Sequence, residues 1–283
     1  MRALNRDDLV LCSGTLGRIP LEEKARAAAA AGFRGVSVYV HEYRALLEAG
    51  GTGAELRAVL DSLELVVAEV DGPMRWLPGH GDERVGRRAL YGIDHFVAAA
   101  AALGARSVTV LEPWGVAVRD EPGLDAAAEA FARVCDRFAS INVIAHIEFY
   151  PWSGIADLRT AVDIVRLADR PNGGVLIDTW HLRRGPDAGV LPDDVGGDVV
   201  RGLQINDTQA EPAASVMQEC MHDRLLPGKG SASVREVVAA LRGRGCDAPV
   251  GVEVFSDELL ALGPAVAARR CFDAARSVLA PNW

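Results

Sequence analysis

At 283 residues, 49% of them apolar and 24% charged, the chain can build a substantial core and is not globally disordered. The formal net charge of −9 argues against a nucleic-acid groove, which would need a basic stripe. The only lysines, Lys24 and Lys229, leave few candidates for Schiff-base chemistry.

The first residues, Met1 to Asp8, lack the apolar core of a signal peptide, and alanine-rich stretches are interrupted by charge or glycine well short of a membrane span. Cys12, Cys135, Cys220, Cys246 and Cys271 are scattered without a C-x-x-C pair. Free thiols in a reducing compartment are therefore expected, and a soluble cytoplasmic protein with no membrane partner.

Strand and helix signals alternate throughout. Strands are predicted near 9–13, 35–40, 64–70, 106–112, 143–149, 174–179, 200–205 and 249–255. Helical spacing occupies 21–31, 84–103, 124–138, 157–168, 233–244 and 264–279. Gly32, Gly104 and Gly245 stand where a left-handed helix cap is wanted, with a strand beginning directly after. The second and sixth connections carry the weakest helix signal, and 182–199 reads as a loop with a short helix. Eight such units imply a single (β/α)8 TIM-barrel domain over 1–283, which fits the ~250 residues such a barrel needs. An open doubly wound sheet is the competing architecture, but G-x-G-x-x-G and G-x-x-x-x-G-K-[ST] are absent after the first strand.

Four of the strands carry an acidic or amide residue near their C-terminal ends: Glu148, Asp178, Gln204 and Glu253. A buried strand resists a lone charge, so several strand-end carboxylates are tolerated when they converge on a cation. Period two places His146 with Glu148, Leu176 with Asp178, Gly202 with Gln204 and Gly251 with Glu253 on the barrel interior. The two glycines would leave space under the site. An all-oxygen set favours Mg²⁺ or Mn²⁺, with Co²⁺ or Zn²⁺ as substitutes. For any one residue alone, helix capping or pairing with arginine is the competing explanation.

The stretches Glu148-Phe149-Tyr150-Pro151, Asp178-Thr179-Trp180-His181, Gln204-Ile205-Asn206-Asp207 and His222 to Gly230 resemble the xylose isomerase-like TIM-barrel superfamily. That group includes sugar isomerases and epimerases, hydroxypyruvate isomerase, inosose dehydratase, 3-dehydroshikimate dehydratase and endonuclease IV. The resemblance implies that Glu148, Asp178, Gln204 and Glu253 bind one divalent metal ion. It also implies that His181, in a D-x-x-H arrangement, polarises or protonates a substrate oxygen. Trp152-Ser153-Gly154 stands where ketohexose epimerases often carry another glutamate, and six histidines are too few for the three zinc ions of endonuclease IV.

Around the metal, His222 and Arg224 are candidate substrate clamps or surface ion pairs. Trp114, Trp152 and Trp180 either wall the pocket or pack beneath it. Lys229 reads as a solvated turn residue, His146 as a core histidine one layer below the metal, and His41, Glu42 and His80 as rim candidates. The expected chemistry is proton transfer next to a carbonyl of a small sugar-like substrate, with Glu148 and Glu253 flanking the carbon as base and acid. Isomerisation or epimerisation leads; dehydration of a cyclic hydroxyketone uses the same site, and a non-catalytic or partner-dependent barrel is the third reading. A homo-oligomer is compatible with the fold.

Overall fold

A computed structural model describes residues 3–73, 75–78, 91–113, 115, 117–120 and 122–280. The chain begins with β1 (Leu9–Leu11), a 3-10 turn (Ser13–Leu16), α1 (Leu21–Ala31), β2 (Gly35–Tyr39), α2 (Val40–Glu48) and α3 (Gly53–Ser62). It continues through β3 (Val66–Asp71), α4 (Ile93–Leu103), β4 (Ser107–Val110), α5 (Leu124–Ala139), β5 (Ile144–Glu148) and α6 (Leu158–Ala168). Then follow β6 (Gly173–Asp178), α7 (Thr179–Arg184), β7 (Val200–Ile205) and α8 (Val216–His222). The chain closes with α9 (Val234–Gly243), β8 (Val250–Val252), α10 (Asp257–Leu260) and α11 (Pro264–Leu279).

The eight strands are parallel and pair in sequence order, and β1 closes on β8 through Leu9, Val10 and Leu11 against Val250, Gly251 and Val252. The architecture is therefore the closed barrel rather than the open sheet. Outward-facing strand residues such as Ala145, Ile147, Val175, Ile177, Leu203 and Ile205 are buried under the helix ring. On α6, Leu158, Ala161, Val162, Val165 and Ala168 form one buried stripe, as 3.6-residue periodicity requires. Asp157 starts that helix by accepting the Thr160 backbone N–H.

Predicted helices 21–31 and 264–279 match α1 and α11, 124–138, 157–168 and 233–244 shift by one residue at one or both ends, and 84–103 begins at Ile93 after the non-helical Tyr91 and Gly92. Of the stretch 84–103, Ile93–Leu103 is helical and 84–90 lie outside the described residues. The weak second connection holds two helices, α2 and α3; in the sixth, the short helix α7 starts directly at the strand end instead of within 182–199. Its early start has a local cause. The Asp178 carboxylate accepts the backbone N–H groups of Trp180 and His181, nucleating a helix where β6 stops. All five cysteines are free and buried.

The glycines under the site do not leave empty space. A Cβ on Gly202 would come within 2.7 Å of the His146 ring and 3.0 Å of Leu176 Cβ, and one on Gly251 within 3.0 Å of Cys12 Sγ and Gln204 Cγ. They are small because neighbouring side chains already fill the barrel centre. Gly202→Ala is expected to lower stability by about 1–3 kcal/mol through overpacking against a ring tethered through Nε2 to Glu69 and Thr109. Urea denaturation measures this, and an unchanged midpoint would show that the His146 ring is free to move away.

Candidate metal centre

Interstrand register places the four candidates near the same end of the barrel. Glu148 pairs with Leu176, Asp178 with Gln204, and Gln204 with Gly251, two residues before Glu253. Along the hydrogen bonds the candidates thus climb two residues from β5 to β6 and two more from β7 to β8. Strand tilt in a closed barrel turns such a stagger into a common height at the C-terminal mouth.

Asp178 is fully buried and accepts four hydrogen bonds: the two helix-capping N–H groups at Oδ1, and Asn206 Nδ2 at 2.7 Å and the Arg224 guanidinium at 2.9 Å at Oδ2. It caps a helix and pairs with an arginine while its carboxylate lies close to Glu148 and His181, so the structural roles are compatible with a place in a cation site. The same Arg224 nitrogen lies 3.3 Å from Glu253 Oε2. Arg224 is 2% exposed, held by Cys220 and stacked over Phe255 at 4.5 Å. Burial opposes its charge, yet Cys220, Asp178 and Glu253 hold it firmly protonated. It therefore braces two carboxylates as well as lining the cavity.

Glu148 Oε1 lies 3.4 Å from His181 Nε2. One donor atom each of Glu148, Asp178 and His181 lies within 4.8 Å of the other two, close enough to share a cation. Burial, then the charges of Asp178 and Glu69, raise the Glu148 pKa to about 8. Burial also drives Glu253 well above the usual carboxylate range; Arg224 pulls it back, and Glu148, Asp178 and Glu69 add to the rise. Burial lowers His181 to about 3, which favours the neutral imidazole, a form able to hydrogen-bond or to ligate a metal. Proton-holding carboxylates crowded around one point are the electrostatic setting that a divalent cation relieves.

Beneath this layer is a network that strands 5 to 8 alone do not reveal. Gln204 Nε2 donates to Glu69 Oε1 at 3.1 Å, and Glu69 Oε2 lies 2.8 Å from His146 Nε2, itself 3.0 Å from Thr109 Oγ1. His146 thus takes the layer-below position expected of it. Burial would raise the Glu69 pKa, but the bond and charge of His146, with bonds from Thr109 and Asp71, turn the net shift downward. Gln204 Oε1 is buried without a hydrogen-bond partner among the described residues. An orphaned carbonyl oxygen beside carboxylates fits a cation ligand. Asp71, two residues past Glu69, faces the cavity, and burial with the charges of Glu69, Glu253 and Glu148 raises its pKa strongly. Both residues carry the same signal as the other four: carboxylates at period two near the end of Val66-Val67-Ala68-Glu69-Val70-Asp71.

Above the carboxylates is a cavity of about 180 Å³. Tyr39, Tyr91, Tyr150, Trp152 and Phe255 supply aromatic walls, while Asp71, Glu148, His181, Arg224 and Glu253 supply the polar floor. Glu112, fully buried after β4, stitches the roof. Its carboxylate accepts the Gly154 and Gly115 N–H groups and its carbonyl accepts Tyr150 Oη at 2.6 Å and Ser153 Oγ at 2.7 Å.

Some expected neighbours are elsewhere. Trp180 is fully buried beneath Trp152, with Nε1 bound to Glu219 at 3.2 Å; it packs under the pocket and does not wall it. His222 lies on α8 with its ring half exposed, paired to Asp257 at 3.1 Å, and is not brought to the cavity. Trp114 and His80 lie outside the described residues. His41 lines the rim, whereas Glu42 ties down Lys24, which also donates to Ser13 and so is no free amine. Lys229 borders a separate surface groove of about 560 Å³ beside α9 and α11.

The shifted groups set opposite pH dependences. The folded-state pKa of Glu148 lies above its ordinary 4.5, so its contribution to stability is full below pH 4.5 and is lost as pH rises towards 8. His181 lies below its ordinary 6.5, so its contribution is full above pH 6.5 and is lost as pH falls towards 3. Between pH 6.5 and 8 only the carboxylate effect operates. Chelator-treated protein is expected to lose stability across that interval, and Glu148→Gln to make the slope shallower while Asp71 and Glu253 keep contributing to it. Urea midpoints at stepped pH measure it; a flat or rising profile in the wild type would contradict the assignment.

The profile of the xylose isomerase-like TIM-barrel family matches residues 25–276. The chain is 28% identical over 251 residues to a 3-dehydroshikimate dehydratase of Pseudomonas aeruginosa, a match that covers 88% of this chain and 37% of that protein. It therefore spans little more than a third of that relative's length. Among solved structures, an IolI protein with a bound zinc atom superposes with a TM-score of 0.83 at 16% identity, over 98% of this chain and 99% of the other. A fusion of a xylose isomerase-like TIM barrel with a 4-hydroxyphenylpyruvate dioxygenase gives 0.79 at 20% identity, over 96% of this chain and 42% of the other. These structural likenesses establish the fold. With the profile covering most of the chain, this protein belongs to the xylose isomerase-like TIM-barrel family.

Proposed function

We propose that the barrel is a divalent-metal-dependent enzyme that removes a proton next to a carbonyl and expels a neighbouring hydroxyl from a cyclic hydroxyketone, making it a dehydratase. The observation that carries this reading is the pairing of a small aromatic-walled cavity with a floor of buried carboxylates. Flat aromatic faces complement a ring better than an extended polyol, and the 28% identical relative is a 3-dehydroshikimate dehydratase. Glu148, Asp178, Gln204 and Glu253 would hold the cation, with neutral His181 as an additional donor. Mn²⁺ or Mg²⁺ suits the oxygen set, and Co²⁺ or Zn²⁺ the set that includes imidazole.

When bound, the cation would supply Lewis-acid stabilisation of negative charge on a substrate oxygen. The remaining work falls to the chain. An ionised Glu148 takes the α-proton, and the C–H electron pair becomes the new double bond as the β C–O bond breaks. The departing hydroxyl takes up the proton that Glu148 has just accepted, handed on across the cavity floor, and leaves as water. His181 donates a hydrogen bond to a substrate oxygen, and Tyr150 and Trp152 hold the ring against the floor and keep water out.

Epimerisation or isomerisation is the second reading, favoured by the presence of two carboxyl groups, Glu148 and Glu253, on the same cavity floor. One abstracts the proton and the other returns it. We also place the protein in the cytoplasm, acting on a small molecule without nucleic acid or membrane. The five buried free thiols support that setting, and no helix among the described residues is long and apolar enough to cross a membrane.

Mn²⁺-loaded protein is to be incubated with 3-dehydroshikimate, an inosose and a ketose, followed by product mass analysis. The proposal predicts a product lighter by one water from a cyclic substrate, and at least a ~100-fold loss in Glu148→Gln. A product of unchanged mass selects the second reading. Near-normal turnover in Glu148→Gln removes the role given to that residue.

A further inference from the structure

Glutamine is a two-ended ligand. Its side-chain amide presents a carbonyl acceptor at one end and an NH₂ donor at the other, and only the carbonyl end can hold a cation. A rotation about the last side-chain bond exchanges the two ends, so a glutamine ligand needs something to choose between them. Gln204 has such a partner across the barrel interior.

Its Nε2 donates to Glu69 Oε1 at 3.1 Å, from β7 to β3. A carboxylate oxygen accepts, so this contact takes the NH₂ end of the amide. Oε1 is thereby left facing away, buried and without a partner among the described residues. The Glu69 side chain is itself held: Oε2 lies 2.8 Å from His146 Nε2, the same nitrogen that lies 3.0 Å from Thr109 Oγ1. The Gln204 stem is confined too, since the space at Gly251 is so tight that a Cβ there would sit 3.0 Å from Gln204 Cγ. We propose that Glu69 is a positioning residue, locking the Gln204 amide so that its carbonyl oxygen is presented to the cation.

The proposal rests on the reading of Gln204 as a metal ligand. It assigns Glu69 no contact with the substrate. Outer partners of this kind orient a ligand before the metal arrives, and their loss weakens metal binding without removing a ligand.

Co²⁺ alone is the probe, titrated into chelator-treated protein and followed by its visible absorption, with the melting temperature of each metal-free variant recorded beside it. Glu69→Leu removes the acceptor and is expected to weaken Co²⁺ binding about 10- to 100-fold and to change the absorption band. Glu69→Gln can still offer a carbonyl to Gln204 Nε2 and is expected to stay within about threefold of the wild type. Wild-type affinity and band in Glu69→Leu would overturn the proposal. Gln204→Ala separates the two claims. If it binds Co²⁺ as the wild type does, Gln204 is not a ligand and the proposal falls with that reading. If it binds weakly while Glu69→Leu is unaffected, only the role of Glu69 falls. Should Glu69→Leu fail to fold, an exchange of the pair decides. Gln204→Glu sets two carboxylates against each other, and adding Glu69→Gln restores a donor–acceptor pair. The double variant is expected to bind Co²⁺ about tenfold more tightly than Gln204→Glu alone; equal affinities would overturn the proposal.

Discussion

Mutual repulsion among buried carboxylates is the constraint on which the rest of this barrel depends. Glu69, Asp71, Glu148, Asp178 and Glu253 come from four strands, and each is no more than 9% exposed. In a low-dielectric interior such charges neutralise, pair or bind a cation. All three responses are built into this chain: Glu148, Asp71 and Glu253 are pushed towards protonation, Arg224 pairs with Asp178 and Glu253, and the donors of Glu148, Asp178 and His181 converge.

The surrounding structure keeps this arrangement in place. The closed parallel barrel aims inward residues at one axis, and its stagger brings the candidate ligands on β5 to β8 towards a common level. Helix α7 starts on the Asp178 carboxylate, so the segment that carries His181 is anchored to a candidate ligand. Trp180 and Phe255 flank the Arg224 guanidinium at 5.6 and 4.5 Å, giving a buried cation apolar faces to rest on. Glu112 ties the β4 and β5 loops together and so sets where Tyr150 and Trp152 stand over the floor. The chemistry at the mouth therefore depends on packing one layer down and on loops tied one layer up.

Much of this is legible in the residues, for physical reasons. Apolar runs separated by helical spacing and glycine caps mark the eight units, and Glu148, Asp178, Gln204 and Glu253 stand out because charge at a buried strand end is costly. The role of Glu69 is hidden. Its bond to Gln204 joins residues 135 apart in sequence, and no local pattern shows which interior positions meet across a barrel. Arg224 was open between substrate clamp and ion pair, because its partners Asp178 and Glu253 come together only when β6 and β8 close around the loop between them. His222, two residues earlier, faces outward because α8 turns it towards Asp257, and spacing along the chain does not reveal that rotation. Trp180 resembles a pocket wall from its place after β6, yet the helix that Asp178 starts turns its ring inward to Glu219.

The central claim is that these buried carboxylates form a cation site. Elemental mass spectrometry of protein purified without chelator, beside a Glu253→Gln control, tests it most directly. The account predicts about one Mn, Mg, Co or Zn per wild-type chain and a clear loss in the control. A wild-type chain that carries no metal, even after soaking in Mn²⁺ and desalting, would contradict it.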